Sequence, residues 1–152
     1  MVMGKRQDDP EVMRALALAG ELSVLVGKLK RRLRAEARLG DFTWSQVEVL
    51  GRLEREGPAT VTHLARAGGV RPQSMGETLS ALKTAGLVSG APDPTDGRQT
   101  VLSLTPASRE LIRASRAARE DWLFRAIRTE LTSAEQGELA RAVELLTRLA
   151  DS

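Results

Sequence analysis

Apolar residues recur along most of this chain at spacings of three and four, the pattern of helices that bury one face. From about Glu11 to Leu39, the residues Leu18, Leu22, Leu25, Val26, Leu29 and Leu33 form one stripe. Lys28, Lys30, Arg31, Arg32, Arg34 and Arg38 occupy the opposite face. A helix of this length cannot be covered by a small domain, so part of its stripe is expected to meet another chain. After a break at Gly40-Asp41, Thr43 and Gln46 form a capping box. The helix it opens carries Val47, Leu50 and Leu53 and ends at Gly57-Pro58. Thr60 or Thr62 caps a short helix with Leu64 and Ala65, stopped by Gly68-Gly69. Arg71 then takes a cap position and Pro72 the first helical position, where an amide hydrogen is not needed. This helix turns Met75, Leu79 and Leu82 inward and Gln73, Ser74, Glu77 and Thr78 outward, and Gly86 closes it.

The period then changes. Leu87-Val88-Ser89 and Thr100-Val101-Leu102-Ser103-Leu104 are short β-runs around the segment Ala91–Gln99, which predicts a hairpin with an unusually long loop. Thr105-Pro106 starts a helix to about Glu130, with Leu111, Ala114, Ala118, Trp122, Ala126 and Ile127 as its apolar side. Thr132 with Glu135, or Ser133 with Gln136, caps a last helix striped by Leu139, Ala142, Val143, Leu146, Leu149 and Ala150. Residues 1–10 are polar, end at Pro10 and are expected to form a mobile leader.

Composition acts mainly by exclusion. The 152 residues suit one domain, and the absence of cysteine rules out disulfides, thiolate zinc sites and thiol switches. No run approaches the length of a membrane span, and the N-terminal MVMGKRQDDP lacks the apolar segment of a signal peptide. The cytoplasm is therefore the expected compartment, with no membrane partner. His63 is the sole histidine, no nucleophile or phosphate-loop motif occurs, and Glu54, Glu56, Glu120 and Asp121 have basic helical neighbours to pair with. Neither an enzyme nor a cofactor is expected. The net charge of +3 is too small to name an acidic partner.

Three short helices followed by a two-stranded hairpin make the layout of a winged helix-turn-helix. The stretches Thr60 to Ala65, Gly69 to Met75, Leu82 to Val88, Asp93 to Arg98 and Leu102 to Pro106 resemble the MarR family of bacterial transcription regulators. The likeness spans nearly the whole chain. It implies a mainly α fold with a small β-hairpin: a winged helix-turn-helix over residues 40–105, flanked by dimerisation helices at 11–39 and 106–152. It further implies a homodimer with interleaved first and last helices. Such a dimer binds a near-palindromic operator in double-stranded DNA and represses, in some members activates, transcription. A small-molecule effector, often aromatic, anionic or lipophilic, is implied in a crevice among the first, second and fifth helices. Phe42, Trp44 and Trp122 are the large aromatics near it, with core packing as their plainer role. Without cysteine, the peroxide-sensing mode of some relatives is excluded.

The same layout names candidate DNA contacts. A helix fits the major groove with its N-terminal residues nearest the bases, here Arg71, Pro72, Gln73, Ser74, Glu77 and Thr78. Gln73 can grip adenine with two hydrogen bonds, and Glu77 can accept from cytosine. Arg98 at the hairpin tip suits a narrow A·T minor groove, with Asp96 holding its side chain extended. Thr60, Thr62, Arg66 and Lys83 are candidate phosphate contacts. Residues 60–105 hold only four cations against three carboxylates, which keeps open a winged-helix module for protein–protein interaction. The first helix is more basic, with seven cations against two carboxylates over residues 14–38, and either faces solvent or adds charge beside DNA in a dimer.

Overall fold

The structure is a computed structural model that describes residues 9–37, 39 and 41–152. The expected leader, apart from Asp9 and Pro10, and Arg38 of the basic face lie outside the described residues. Helix α1 (Pro10–Glu36) is opened by the Asp9 carboxylate, which accepts from the Glu11 amide at 2.9 Å. It ends at Glu36 instead of Leu39. Helix α2 (Trp44–Glu56) begins with the predicted capping box: Thr43 Oγ1 accepts from the Gln46 amide and Gln46 Oε1 from the Thr43 amide.

Strand β1 (Ala59–Thr60) leads directly into α3 (Val61–Gly68), and Thr60 is the cap, its hydroxyl accepting from the His63 amide at 3.1 Å. Helix α4 (Pro72–Thr84) follows a tight turn in which Gly69 adopts a left-handed φ of 64°. Gly86, with φ 75°, does the same after α4 and aims the chain into β2 (Val88–Pro92). Strand β3 (Thr100–Leu104) lies at the centre of an antiparallel sheet of order β1-β3-β2.

Two details of the wing differ from the sequence expectation. Pairing runs on through Ala91 opposite Val101 and Pro92 opposite Thr100, so the loop between strands starts at Asp93 rather than Ala91. An edge strand tolerates the missing amide hydrogen of Pro92. The hairpin is also joined by β1, whose Ala59 and Thr60 pair with Leu102 and Val101; two residues are too few to show alternation in sequence.

Val49, Leu50 and Leu53 of α2, Leu64 and Ala65 of α3, and Met75, Leu79 and Leu82 of α4 pack with Leu87, Val88, Leu102 and Leu104. Leu64 and Leu82 are wholly buried. The arrangement is a winged helix-turn-helix with its own core.

Helix α5 (Pro106–Glu130) is fastened to the end of α4 at its first turn. Thr105 Oγ1 donates to the Gly86 carbonyl at 2.7 Å and accepts from the Ser108 amide, while the Thr105 amide donates to Leu87 O. The inward face of α5 is turned slightly from the predicted one: Ala114 is exposed, and Leu111, Ile112 and Ser115 point inward. The reason is a polar contact that an apolar count cannot see. Ser115 is buried and its hydroxyl donates to the Ala37 carbonyl at 3.3 Å, joining α5 to the end of α1. Helix α6 (Ser133–Ala150) opens with the Thr132–Glu135 capping box. Neither α1 nor α6 contains a buried residue. Among the described residues, no helix is long and apolar enough to cross a membrane.

Candidate nucleic-acid interface

Helix α4 buries Met75, Leu79 and Leu82 and so must present the opposite side to solvent. Gln73 and Glu77 lie on that exposed side, as predicted, and Ser80, Ala81 and Thr84 continue it toward the wing. Ser74 and Thr78 lie to the flank, where both line a pocket of about 250 Å³ together with Trp44, Val49 and Met75. The Thr78 hydroxyl donates back to the Ser74 carbonyl, so Thr78 is half-buried rather than fully outward.

The start of α4 lacks a side-chain cap. Arg71 occupies the cap position with extended backbone and makes no capping hydrogen bond, and Pro72 follows. The first-turn amides of Gln73 and Ser74 therefore keep their hydrogens free of a side-chain acceptor, and the helix dipole adds positive potential there. Arg71 itself is exposed and long enough to reach beyond that turn.

The wing loop is organised by its acids. The Asp93 carboxylate accepts from the Thr95 amide at 2.9 Å and hydroxyl at 2.8 Å, and these bonds hold its pKa below the ordinary aspartate value. Asp96 Oδ1 accepts from the Arg98 amide at 3.1 Å, while Asp93 N donates to Gln99 O and Gln99 N to Asp96 O. Asp96 thus fixes the backbone beneath Arg98; it does not grip the guanidinium, as the sequence reading expected. The reason is local: residues two apart in a turn bring a carboxylate to the amide, the usual Asx-turn bond.

The remaining candidates lie on the neighbouring elements. Thr62 and Arg66 are exposed on α3 and Lys83 on the last turn of α4. The Thr60 hydroxyl is spent on its cap, so it has less to offer a phosphate than the sequence suggested. His63 Nε2 lies 3.6 Å from Glu56. Among the described residues, Arg66, Arg71, Lys83 and Arg98 make no ion pair, whereas some cations on the other helices do: Arg32 with Glu36, Arg52 with Glu48 and Glu56, Arg116 with Glu54 and Arg125 with Asp121. No cluster of His, Asp and Glu able to hold a metal occurs among the described residues.

A second concavity, about 690 Å³, lies between α1, α2 and α5. Leu29, Leu33, Val47, Leu50, Leu111 and Ile112 supply an apolar wall, and Arg34, Arg116 and Arg119 stand on a rim that also carries Glu48 and Glu54, the latter paired with Arg116. Trp44 lines it; Phe42 and Trp122 do not. Phe42 packs on the lobe core instead, and Trp122 lies beneath the Arg32 guanidinium. Arg34 and Lys30 both stack on Trp44, at 4.3 and 4.5 Å from the ring centre, so two cations of the presumed outer face of α1 turn inward toward α2. Arg34 Nη2 donates to the Phe42 carbonyl at 2.8 Å, while its Nη1 is buried with no partner among the described residues.

Residues 41–99 match the model of the MarR family. An HTH-type transcriptional regulator of Mycobacterium tuberculosis is 37% identical over 134 residues, covering 88% of this chain and 93% of the relative. A crystal structure from Pseudomonas aeruginosa, of a protein assigned as a transcriptional regulator, is 37% identical with a TM-score of 0.81, covering 91% of this chain and 98% of that one. A MepR mutant of S. aureus bound to an oligodeoxyribonucleotide shares the fold, with a TM-score of 0.67 at 19% identity over 86% of this chain and 96% of its own.

Proposed function

The chain belongs to the MarR family, and from that membership we propose that it is a DNA-binding transcriptional regulator that works in the cytoplasm as a homodimeric repressor. Residues 40–105 read a near-palindromic operator, and residues 11–39 and 106–152 hold the two copies together. The observation that carries this reading is a combination within the lobe. An uncapped α4 start bearing Arg71 lies in the same lobe as a wing loop whose acids are tied into turns, leaving Arg98 without an ion pair among the described residues. This supports DNA over the protein-partner alternative: Asp93 and Asp96 stay charged but are turned to the loop's own amides, so that among the described residues none of Arg66, Arg71, Lys83 and Arg98 is paired with a carboxylate. Arg71, Pro72, Gln73, Ser74, Glu77 and Thr78 meet the major groove, Arg98 the minor groove, and Thr62, Arg66 and Lys83 the phosphates, with Thr60 and Asp96 supporting them from within.

Release by a small amphipathic anion is part of the same proposal. The cleft between α1, α2 and α5 offers an apolar wall, an aromatic face on Trp44, and a buried guanidinium nitrogen of Arg34 that lacks an acceptor among the described residues. A buried donor without an acceptor is costly, and an anionic oxygen would relieve that cost. Occupancy of the cleft would favour one relative setting of α1, α2 and α5 and so bias the separation of the two reading helices.

The test is a binding titration with duplex DNA from upstream of the protein's own gene against a mixed-sequence duplex of equal length. Saturable preference for the first, weakening with salt, is expected. Equal and feeble binding to both would refute operator recognition.

A further inference from the structure

A glycine in the middle of a strand is unfavourable unless something must come close to it. Gly90 is the central residue of β2, paired with Leu102, and its φ is not in the left-handed region, so its backbone does not call for glycine. Its surroundings do. A Cβ built there would stand 2.8 Å from Thr100 Cγ2, 3.0 Å from Lys83 Nζ and 3.2 Å from Lys83 Cε. The Lys83 side chain therefore leaves the last turn of α4, crosses to the wing, and rests its ammonium on the bare backbone of β2.

That ammonium makes no ion pair among the described residues. The two wing acids are engaged elsewhere, Asp93 with Thr95 and Asp96 with the Arg98 amide. Lys83 is thus a cation placed by shape rather than by a carboxylate. Its position is the junction between α4 and the wing. When a helix lies in the major groove and a wing in the adjacent minor groove, the sugar–phosphate strand that separates the two grooves must pass over that junction.

We propose that Gly90 is a notch that seats the Lys83 ammonium between α4 and the wing, where it takes a phosphodiester of the strand dividing the two grooves. Gly90 acts as a positioning residue: it touches no DNA but sets where Lys83 can sit. The inference rests on the DNA-binding reading above and deepens it, because it assigns a fixed phosphate contact that couples the helix to the wing.

A phosphate contact is indifferent to sequence, so the test uses the full chain, a mixed-sequence duplex and fluorescence anisotropy over a range of sodium chloride. Lys83→Met keeps the length of the stem and removes the charge. It should reduce the slope of log affinity against log salt by about one per protomer, with an unchanged melting temperature. Gly90→Ala should weaken binding in the Lys83 chain and have little further effect once Lys83→Ala has emptied the notch. Thr100→Ser removes the other close neighbour, so Gly90→Ala in that background isolates the clash with Lys83. An unchanged salt slope in Lys83→Met overturns the proposal, as do fully additive losses for Gly90→Ala and Lys83→Ala. If Gly90→Ala lowers the melting temperature instead, the slope of Lys83→Met alone decides. Absence of salt-dependent binding in the unsubstituted protein would defeat the DNA reading itself, an outcome distinct from either of these.

Discussion

The lobe of α2, α3, α4 and the sheet closes around its own leucines, whereas α1 and α6 bury none of theirs within this chain. Leu16, Leu18, Val24, Leu25 and Val26 on α1 and Val143, Leu146 and Leu149 on α6 remain open to solvent. The two regions are thus stabilised by different means. The lobe's core is intramolecular, so its folding should not depend on protein concentration. The long helices carry more apolar surface than a monomer usually exposes, in keeping with the homodimer proposed above. Charge divides along another line: α2 and α5 carry several ion pairs, while among the described residues Arg66, Arg71, Lys83 and Arg98 of α3, α4 and the wing make none.

The sharpest way to break this contrast is Leu25→Glu combined with Leu146→Glu. We expect a dimer to become a monomer by sedimentation and operator binding to fall by about two orders of magnitude, because two half-sites no longer bind as one unit. A dimer of undiminished affinity would remove the role given to these helices. Leu82→Ala attacks the other region. A wholly buried leucine should cost about 2–5 kcal/mol in denaturant unfolding. This loss should be the same at all protein concentrations once dimer dissociation is accounted for; a cost well under about 1 kcal/mol would mean that the lobe core is not the stabilising centre.

Smaller effects sharpen the functional half of the contrast. Arg98→Ala should weaken operator binding about tenfold and flatten the preference for A·T pairs at the flanks, read by competition with altered duplexes. Retained A·T preference would show that the wing does not read the minor groove. The smallest effect is acidic. The folded pKa of Asp93 is lowered by the Thr95 amide and hydroxyl, so its contribution to the wing loop is complete above the ordinary carboxylate range and fades as pH falls below about 4. Asp93→Asn should make amide exchange in the wing loop less dependent on pH in that range while leaving exchange in α4 unaltered.

Capping chemistry made most of the lobe legible in sequence. Thr43 with Gln46, Pro72 and Gly86 each mark a helix end by a local requirement, and each occurs where the spacing predicted it. Strand β1 escaped because a two-residue strand has no period to detect. Arg34 escaped for another reason. On a helical wheel it belongs with the solvated cations of α1, but it donates to the carbonyl of Phe42 eight residues on, a meeting with no local signature. The notch at Gly90 is equally silent in sequence, since a strand glycine looks the same whether it is crossed by a lysine or by nothing. Which aromatics line the cleft was likewise undecidable from spacing: Trp44 lines it, while Phe42 turns to the lobe core and Trp122 lies under Arg32.

The ties that Thr105 makes to Gly86 and Leu87 have a mechanical consequence. Helix α5 is a stiff arm about 37 Å long, and its near end is clamped to the chain that closes α4. A clamped arm cannot take up a tilt by slipping at its root. Any lean imposed on α5 along its length, whether by a neighbouring subunit or by something wedged against Ile112 and Ser115, is delivered to α4 as a rotation. The two-pronged hydroxyl of Thr105 is thus the joint whose stiffness determines how faithfully one end of the molecule hears the other.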